Sequence, residues 1–294
     1  MNINSIEITH ADKMLFPDDN ITKNDVAEYY NQIAVHILPF IKDRPLTLKR
    51  YPDGINKAGF FNKHIPDYFP DLIQRLVVPT EQDESQMKMV GVDNARGLIY
   101  LAEQNTIELH ITSAKITDIK KPDQIIFDFD PSDNDFEKVR SAALTLNDLL
   151  DSLNLPSFVK TSGSRGVHVH VPIKVCCSFK EVKYFAKKIA EQLNKKCPGL
   201  TTLEQRKKKR GDKVFIDYLR NDYAMTVVAP YSLRALQGAP IATPVFWDEL
   251  KDKSLDPRTY SLKNIFHRLA QKNDPWENFV TSSIDIQSGN IALT

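Results

Sequence analysis

Residues 125–133 read IIFDFDPSD, an apolar run with acids set into it at alternate positions. In a strand, alternate side chains share a face, so Asp128 and Asp130 point one way while Phe127 and Phe129 point the other. The apolar residues require a covered sheet. Two like charges on one face of that sheet repel, and a bare pair raises one of the two pKa values. A divalent cation between them relieves the repulsion, and hard carboxylate oxygens suit Mg²⁺ or Mn²⁺. The structural alternative is a strand end running into an Asp-rich turn, with the acids solvated or capping a helix that begins near Asp135.

A third acid in an apolar strand occurs downstream, at Asp217 in KVFIDYLRN. An unpaired charge there is costly. It is answered either by a metal or by an ion pair with Arg220 or Lys213. Three acids on adjacent strands would hold two metal ions about 3.5–4 Å apart, the arrangement for in-line displacement at phosphorus. Between the two acidic segments lies TSGSRGVHVHVP, a hairpin pattern in which His168 and His170 share a face. Its glycines free the backbone to approach an anion, and Ser162, Ser164, Arg165 and a histidine can donate to phosphate oxygens. The same pattern also suits an ordinary exposed turn. His110 in TIELHIT shares a strand face with Glu108, and alone it reads as a satisfied, partly buried strand histidine.

The rest of the chain mixes helices and strands without regular β-α-β alternation. A helix is expected from Lys23 with Thr22 as N-cap, its apolar stripe running through Ile33 and Ile37. Leu46 and Leu48 alternate in PLTLKRYPDG, which closes in a turn. Helices are expected over 94–105, 136–153, 179–193 and 260–268, and the polar stretch within 78–90 reads as an exposed loop or hairpin. The fold class is therefore α+β with mixed or antiparallel sheets flanked by helices. Neither a dinucleotide G-x-G-x-x-G fingerprint nor a Walker A loop occurs. The 294 residues fit one domain with lobes.

Charge gives no bulk clue, since 39 Lys and Arg face 38 Asp and Glu for a net +1. A polyanion site must come from local segregation, as in QRKKKR at 205–210, which otherwise reads as a solvated face. The chain shows no apolar leader and no run of roughly 18 apolar residues, so a soluble, intracellular protein is expected. Cys176, Cys177 and Cys197 form no disulfide framework and no C-x-x-C pair, and they read as free thiols in a reducing compartment.

Seven segments in order resemble the archaeo-eukaryotic primase superfamily, and within it the polymerase domain of bacterial ligase D and its stand-alone archaeal relatives. They are RPLTLKRYPDG, GFFNKH, YLAEQNTIELH, IIFDFDPSD, TSGSRGVHVHVPI, FIDYLRN and TVVAPYSLRALQGAPIATPVFWDEL, preceded by DKMLFP. The resemblance covers nearly the whole chain. It implies a primase-like catalytic core spanning 1–294, with N-terminal and catalytic lobes sharing one active-site cleft.

The activity it implies is nucleotide addition to 3′ ends and gaps in non-homologous end joining. Ribonucleotides would be the preferred substrates and two divalent cations, Mn²⁺ or Mg²⁺, the cofactors. By that resemblance Asp128, Asp130 and Asp217 hold the metals and His110 is an active-site residue. Ser162, Arg165, His168, Arg234 and Lys49 would contact the nucleotide. Lys13 and Lys63 would recognise a 5′-phosphate across a gap, and Phe60 and Phe61 would stack on template bases, unless one or both face the core. Relatives carry an end-pairing protrusion near 78–90. Implied partners are DNA ends and 5′-phosphorylated gaps, NTP or dNTP, a Ku-type end binder and a DNA ligase. With no ligase module before Thr294, the ligase is expected to be a separate protein. A cytoplasmic, nucleoid-associated prokaryotic location is implied. A metal-dependent nuclease and a non-catalytic DNA-end-binding module remain as competing readings.

Overall fold

The structure is a computed structural model that describes residues 1–80 and 85–287. Local signals place its first helix. The Thr22 hydroxyl accepts from the Asp25 N–H and the Asp25 carboxylate accepts from the Thr22 N–H, so helix Lys23–Gln32 starts at the expected residue. The helix does not run on to Ile37. It ends at Ile33, and a second helix, Ala34–Ile41, follows at once.

The chain divides into two compact units. The first comprises residues 1–117, 226–242 and 260–266. Its main sheet runs Thr226–Val228, Thr106–Thr112, Leu46–Arg50, Gln86–Gly91, Gln74–Pro79, with Phe60–Asn62 paired to Leu46–Arg50. All these pairings are antiparallel. Gln74–Pro79 and Gln86–Gly91 are the arms of the hairpin expected within 78–90, and residues 81–84, on which the end-pairing reading partly falls, lie outside the described residues. Helix Ala95–Glu103 starts at Asn94, whose side chain accepts from the Gly97 N–H. Two buried tyrosines tie the unit together, Tyr29 donating to the Tyr231 carbonyl and Tyr30 to that of Ile107, both at 2.6 Å.

The second unit comprises residues 118–225, 243–259 and 267 onward. Its sheet has the order Thr201–Thr202, Val214–Asp217, Gln124–Pro131, Val167–Pro172, Phe158–Thr161, Pro244–Val245. Only the first pair is parallel. Phe127, Phe129, Val169 and Ile216 are fully buried, and burial of each phenylalanine contributes about 2–3 kcal/mol. Helices Phe136–Ser152 and Phe179–Lys196 pack against the central strand, with Asp135 and Ser178 as side-chain N-caps. The helix begins where expected, and its cap is Asp135 rather than Asp128 or Asp130.

The last expected helix starts late, spanning Ile265–Gln271 rather than 260–268. The Ser261 N–H is taken by the Asn264 side chain, and Pro240 bridges to Ser261, so 260–264 is held as a turn. All three cysteines are free. Cys197 and Cys177 are buried, Cys176 is only half-buried, and burial pushes the Cys177 thiol up to about 12. Among the described residues no helix is long and apolar enough to cross a membrane.

Candidate active site

Strand register in the second unit brings four ionisable side chains into one line. Asp217 lies opposite Asp128, Asp128 opposite His168, and His168 opposite Lys160. Directly opposed residues on paired strands share a face. The row therefore crosses four strands, with two acids at one end and a cation at the other. The register that creates it is fixed from the other face, because a one-residue slip would expose Phe127 and Phe129.

Arg220 supplies the acids' shared counter-charge. Its Nε stands 3.0 Å from Asp217 and 3.5 Å from Asp128, and His168 Nε2 lies 3.4 Å from the other Asp128 oxygen. The Arg220 Nε is buried and makes no hydrogen bond. Burial pushes the Asp128 carboxyl up to about 6, with Arg220 opposing and Asp217 and Asp130 adding to the rise. Asp217 is raised too, by burial first, while Arg220 and the Leu219 N–H pull it back. The ion pair with Arg220 that the sequence left open for Asp217 is present. Among the described residues no group of three or more His, Cys, Asp or Glu is arranged to hold a metal ion. Asp217 faces Asp128 directly, and Asp130, two residues along the same strand, adds to the rise of both while Arg165 and Arg210 hold it.

Asp130 accepts from Arg165 at 2.7 Å and from Arg210 at 3.3 Å. Arg165 is the expected nucleotide contact in the hairpin, and here its guanidinium serves a carboxylate. Arg210 corrects the reading of the basic run. Residues 205–209 are exposed, whereas Arg210 is 6% exposed, lies over the Phe215 ring at 3.8 Å and donates to the Glu204 and Gln205 carbonyls. The hairpin itself is tight. Ser162 Oγ accepts from the Ser164 and Gly166 N–H groups. A Cβ at Gly166 would lie 1.9 Å from the Phe129 carbonyl oxygen, so only glycine lets the turn lie against the aspartate strand. His168 and His170 stack at 6.2 Å, as their shared face requires.

The first unit holds a second constellation. Glu108, 2% exposed, lies opposite Lys49 on the neighbouring strand. Its carboxylate meets His110 Nε2 at 2.9 Å, Arg234 Nε at 3.4 Å and Lys49 Nζ at 3.5 Å. Burial works against its ionisation, yet His110, Arg234 and Lys49 together hold its pKa down at about 2. Burial lowers the His110 pKa despite the Glu108 hydrogen bond. Lys49 is raised although burial opposes it, through hydrogen bonds to Tyr51 and Glu108 and their negative charge.

Beside this cluster, Phe61 meets His110 edge-on at 5.5 Å, and Lys49 Nζ lies 5.5 Å from the Phe61 ring. Phe60 and Phe61 are 48% and 57% exposed, so neither faces the core. Among the described residues their short strand pairs only with Leu46–Arg50. Lys13 is half-buried just before the Met14–Phe16 strand, and Lys63 is exposed just after Phe60–Asn62.

Sequence reasoning missed Lys160, Arg210 and the central place of Glu108. Alternation in FVKT could have found Lys160, a lysine in a strand otherwise fit for burial. No local signal separates Arg210 from the exposed cations before it.

Comparison with known proteins gives one consistent family. Residues 22–276 match the model described as "LigD, primase-polymerase domain". The chain is 32% identical over 282 residues to the Bifunctional non-homologous end joining protein LigD of Bacillus subtilis, covering 95% of this chain and 45% of that protein. It is 31% identical over 280 residues to the Multifunctional non-homologous end joining protein LigD of Mycobacterium bovis, covering 92% and 36%. The chain thus spans less than half the length of these relatives. Among solved structures it is similar to the polymerase domain from Mycobacterium tuberculosis ligase D in complex with DNA, with a TM-score of 0.87 and 30% identity over 95% of this chain and 99% of that one.

Proposed function

This chain belongs to the LigD primase-polymerase domain family, and from that premise we propose that it is the polymerase of non-homologous end joining, a nucleotidyltransferase acting on DNA ends. It adds nucleotides, ribonucleotides by preference, to 3′ ends and across gaps. The observation that carries the reading is the row Asp217, Asp128, His168 and Lys160 on one face of the second unit's sheet.

Asp128 and Asp217 offer hard oxygen donors to divalent cations, and Asp130 offers a third set that Arg165 and Arg210 now hold. The fit rests on charge. Two part-buried carboxylates share one guanidinium whose Nε makes no hydrogen bond, and Asp128 is reluctant to ionise. Such a pair favours a cation of higher charge. Two ions, Mn²⁺ or Mg²⁺, would lower the pKa of the attacking hydroxyl and balance the charge of the departing pyrophosphate.

The chain's own groups do the rest. His168, 3.4 Å from Asp128, orients that carboxylate and stands as a donor to phosphate. Ser162 and Arg165 lie on the turn that Gly166 holds against the strand, and Lys49, His110 and Arg234 are further candidates for nucleotide contact. Phe60 and Phe61 offer exposed faces for template bases, with Lys13 and Lys63 proposed for the 5′-phosphate. A Ku-type end binder and a DNA ligase activity are the proposed partners, in a cytoplasmic, nucleoid-associated setting.

The test is primer extension on a gap with a 5′-phosphate, comparing rNTP with dNTP and Mn²⁺ with Mg²⁺. A lengthened primer that Asp128→Ala abolishes without loss of end binding is the expected result. A shortened primer would instead identify a nuclease, and end binding with no change in length a non-catalytic module.

A further inference from the structure

Resting on the polymerase reading above, we propose that Glu108 is a positioning residue, the buried carboxylate that holds Lys49, His110 and Arg234 together as one receptor for the phosphates of an incoming nucleotide. Its contacts divide between its two oxygens. Oε1 accepts from the Ala235 N–H at 3.1 Å and lies 3.5 Å from Lys49 Nζ. Oε2 lies 2.9 Å from His110 Nε2 and 3.4 Å from Arg234 Nε. The three partners reach it from separate places. Lys49 comes from the opposite strand, His110 from two residues along the same strand face, and Arg234 from the segment that Ala235 anchors.

Exposure is graded in the direction a receptor needs. The Glu108 side chain is 2% exposed, while those of His110, Arg234 and Lys49 are 13%, 18% and 27% exposed. The negative charge is sealed behind, and the positive groups reach toward solvent. An acid buried for stability alone requires one cation. A lysine and an arginine on the same carboxylate leave net positive charge before His110 is counted, and an arriving anion meets it.

The carboxylate also restrains two of the most flexible side chains in proteins before the ligand arrives. Ordering such chains at binding is a substantial part of the cost of association. Without the Glu108 charge the cations repel one another and separate.

Glu108→Gln keeps the shape and an acceptor for Ala235 while removing the charge. The expected result in primer extension is a KM for nucleotide raised about tenfold or more, the scale of a lost charge-assisted contact, with kcat changed much less and primer affinity unchanged. A lowered Tm with an unaltered nucleotide KM would overturn the proposal and leave Glu108 a structural residue. If wild-type protein extends no primer, the polymerase reading fails by itself. The receptor is then tested by calorimetric titration with inorganic triphosphate, where equal binding by wild type and Glu108→Gln overturns it. Should Glu108→Gln not fold, Lys49→Met, Arg234→Met and the double variant are compared. A double loss smaller than the product of the single losses supports a unit organised by Glu108, and independent multiplicative losses refute it.

Discussion

Exchanging Asp128 for asparagine preserves the side-chain shape and removes a charge that the fold buries at a cost. The rise of this carboxyl from its ordinary 3.8 to about 6, at about 1.4 kcal/mol per pH unit, is worth roughly 3 kcal/mol. The sign follows from which form the fold disfavours. Below pH 3.8 the group is protonated in both folded and unfolded chains, and no penalty exists. The penalty grows as pH climbs from 3.8 toward 6 and is complete above it. Asp128→Asn therefore stabilises the metal-free protein by about 1 kcal/mol at pH 4.5 and about 3 kcal/mol at pH 7.5.

For a chain of this size about 2 °C accompanies each kcal/mol, so Tm at pH 7.5 should rise by roughly 6 °C. The measurement is thermal unfolding of wild type and variant in chelator at the two pH values, repeated with Mn²⁺. Added Mn²⁺ should raise the Tm of wild type and not that of the variant, because the ion binds a carboxylate that only the wild type has. Primer extension should be abolished in the same variant. A Tm change equal at both pH values, or a fall at pH 7.5, would refute the buried-charge account of this site.

Gly166→Ala should cost about 3 kcal/mol in urea unfolding, since its Cβ would collide with the Phe129 carbonyl, and extension should fall with the displaced hairpin. Phe60→Ala and Phe61→Ala should leave stability within about 0.5 kcal/mol, both rings being exposed, while weakening template binding by about 1–3 kcal/mol each in fluorescence titrations. Lys13→Ala and Lys63→Ala should weaken gapped DNA bearing a 5′-phosphate more than the unphosphorylated gap, and each should flatten the salt dependence of binding by about one unit of log slope. The Glu108 carboxyl, held down at about 2, gives stability that is complete above its ordinary 4.5 and is lost as pH falls toward 2. Acid unfolding of Glu108→Gln should accordingly be shallower over that range.

Local chemistry was legible in the sequence where it depends on near neighbours. The Thr22 cap, the alternation that turns Asp128 and Asp130 away from Phe127 and Phe129, and the hairpin around Gly166 each rest on residues a few positions apart. Asp217 could be singled out as an acid in an apolar strand, but not its place directly opposite Asp128. That place depends on strand register across a long separation, which the packing of the opposite face sets. Arg210 was illegible for a related reason. In sequence it is the last of a basic run, and only the fold lays it on Phe215 and turns it to Asp130. The break at Ile33 and the late start of helix Ile265–Gln271 show helical spacing yielding to local turns.

The two constellations are unbalanced in opposite senses. Asp128 and Asp217 share one guanidinium, and burial leaves both reluctant to ionise. Glu108 has three basic partners and is held as an anion down to about pH 2. Folding stability explains neither arrangement, because apolar side chains of similar volume would serve a core as well or better. One group sets two carboxylates face to face, and the other gathers three basic side chains on a single carboxylate. Under the proposed polymerase reading a divalent cation would complete the first and a polyphosphate the second.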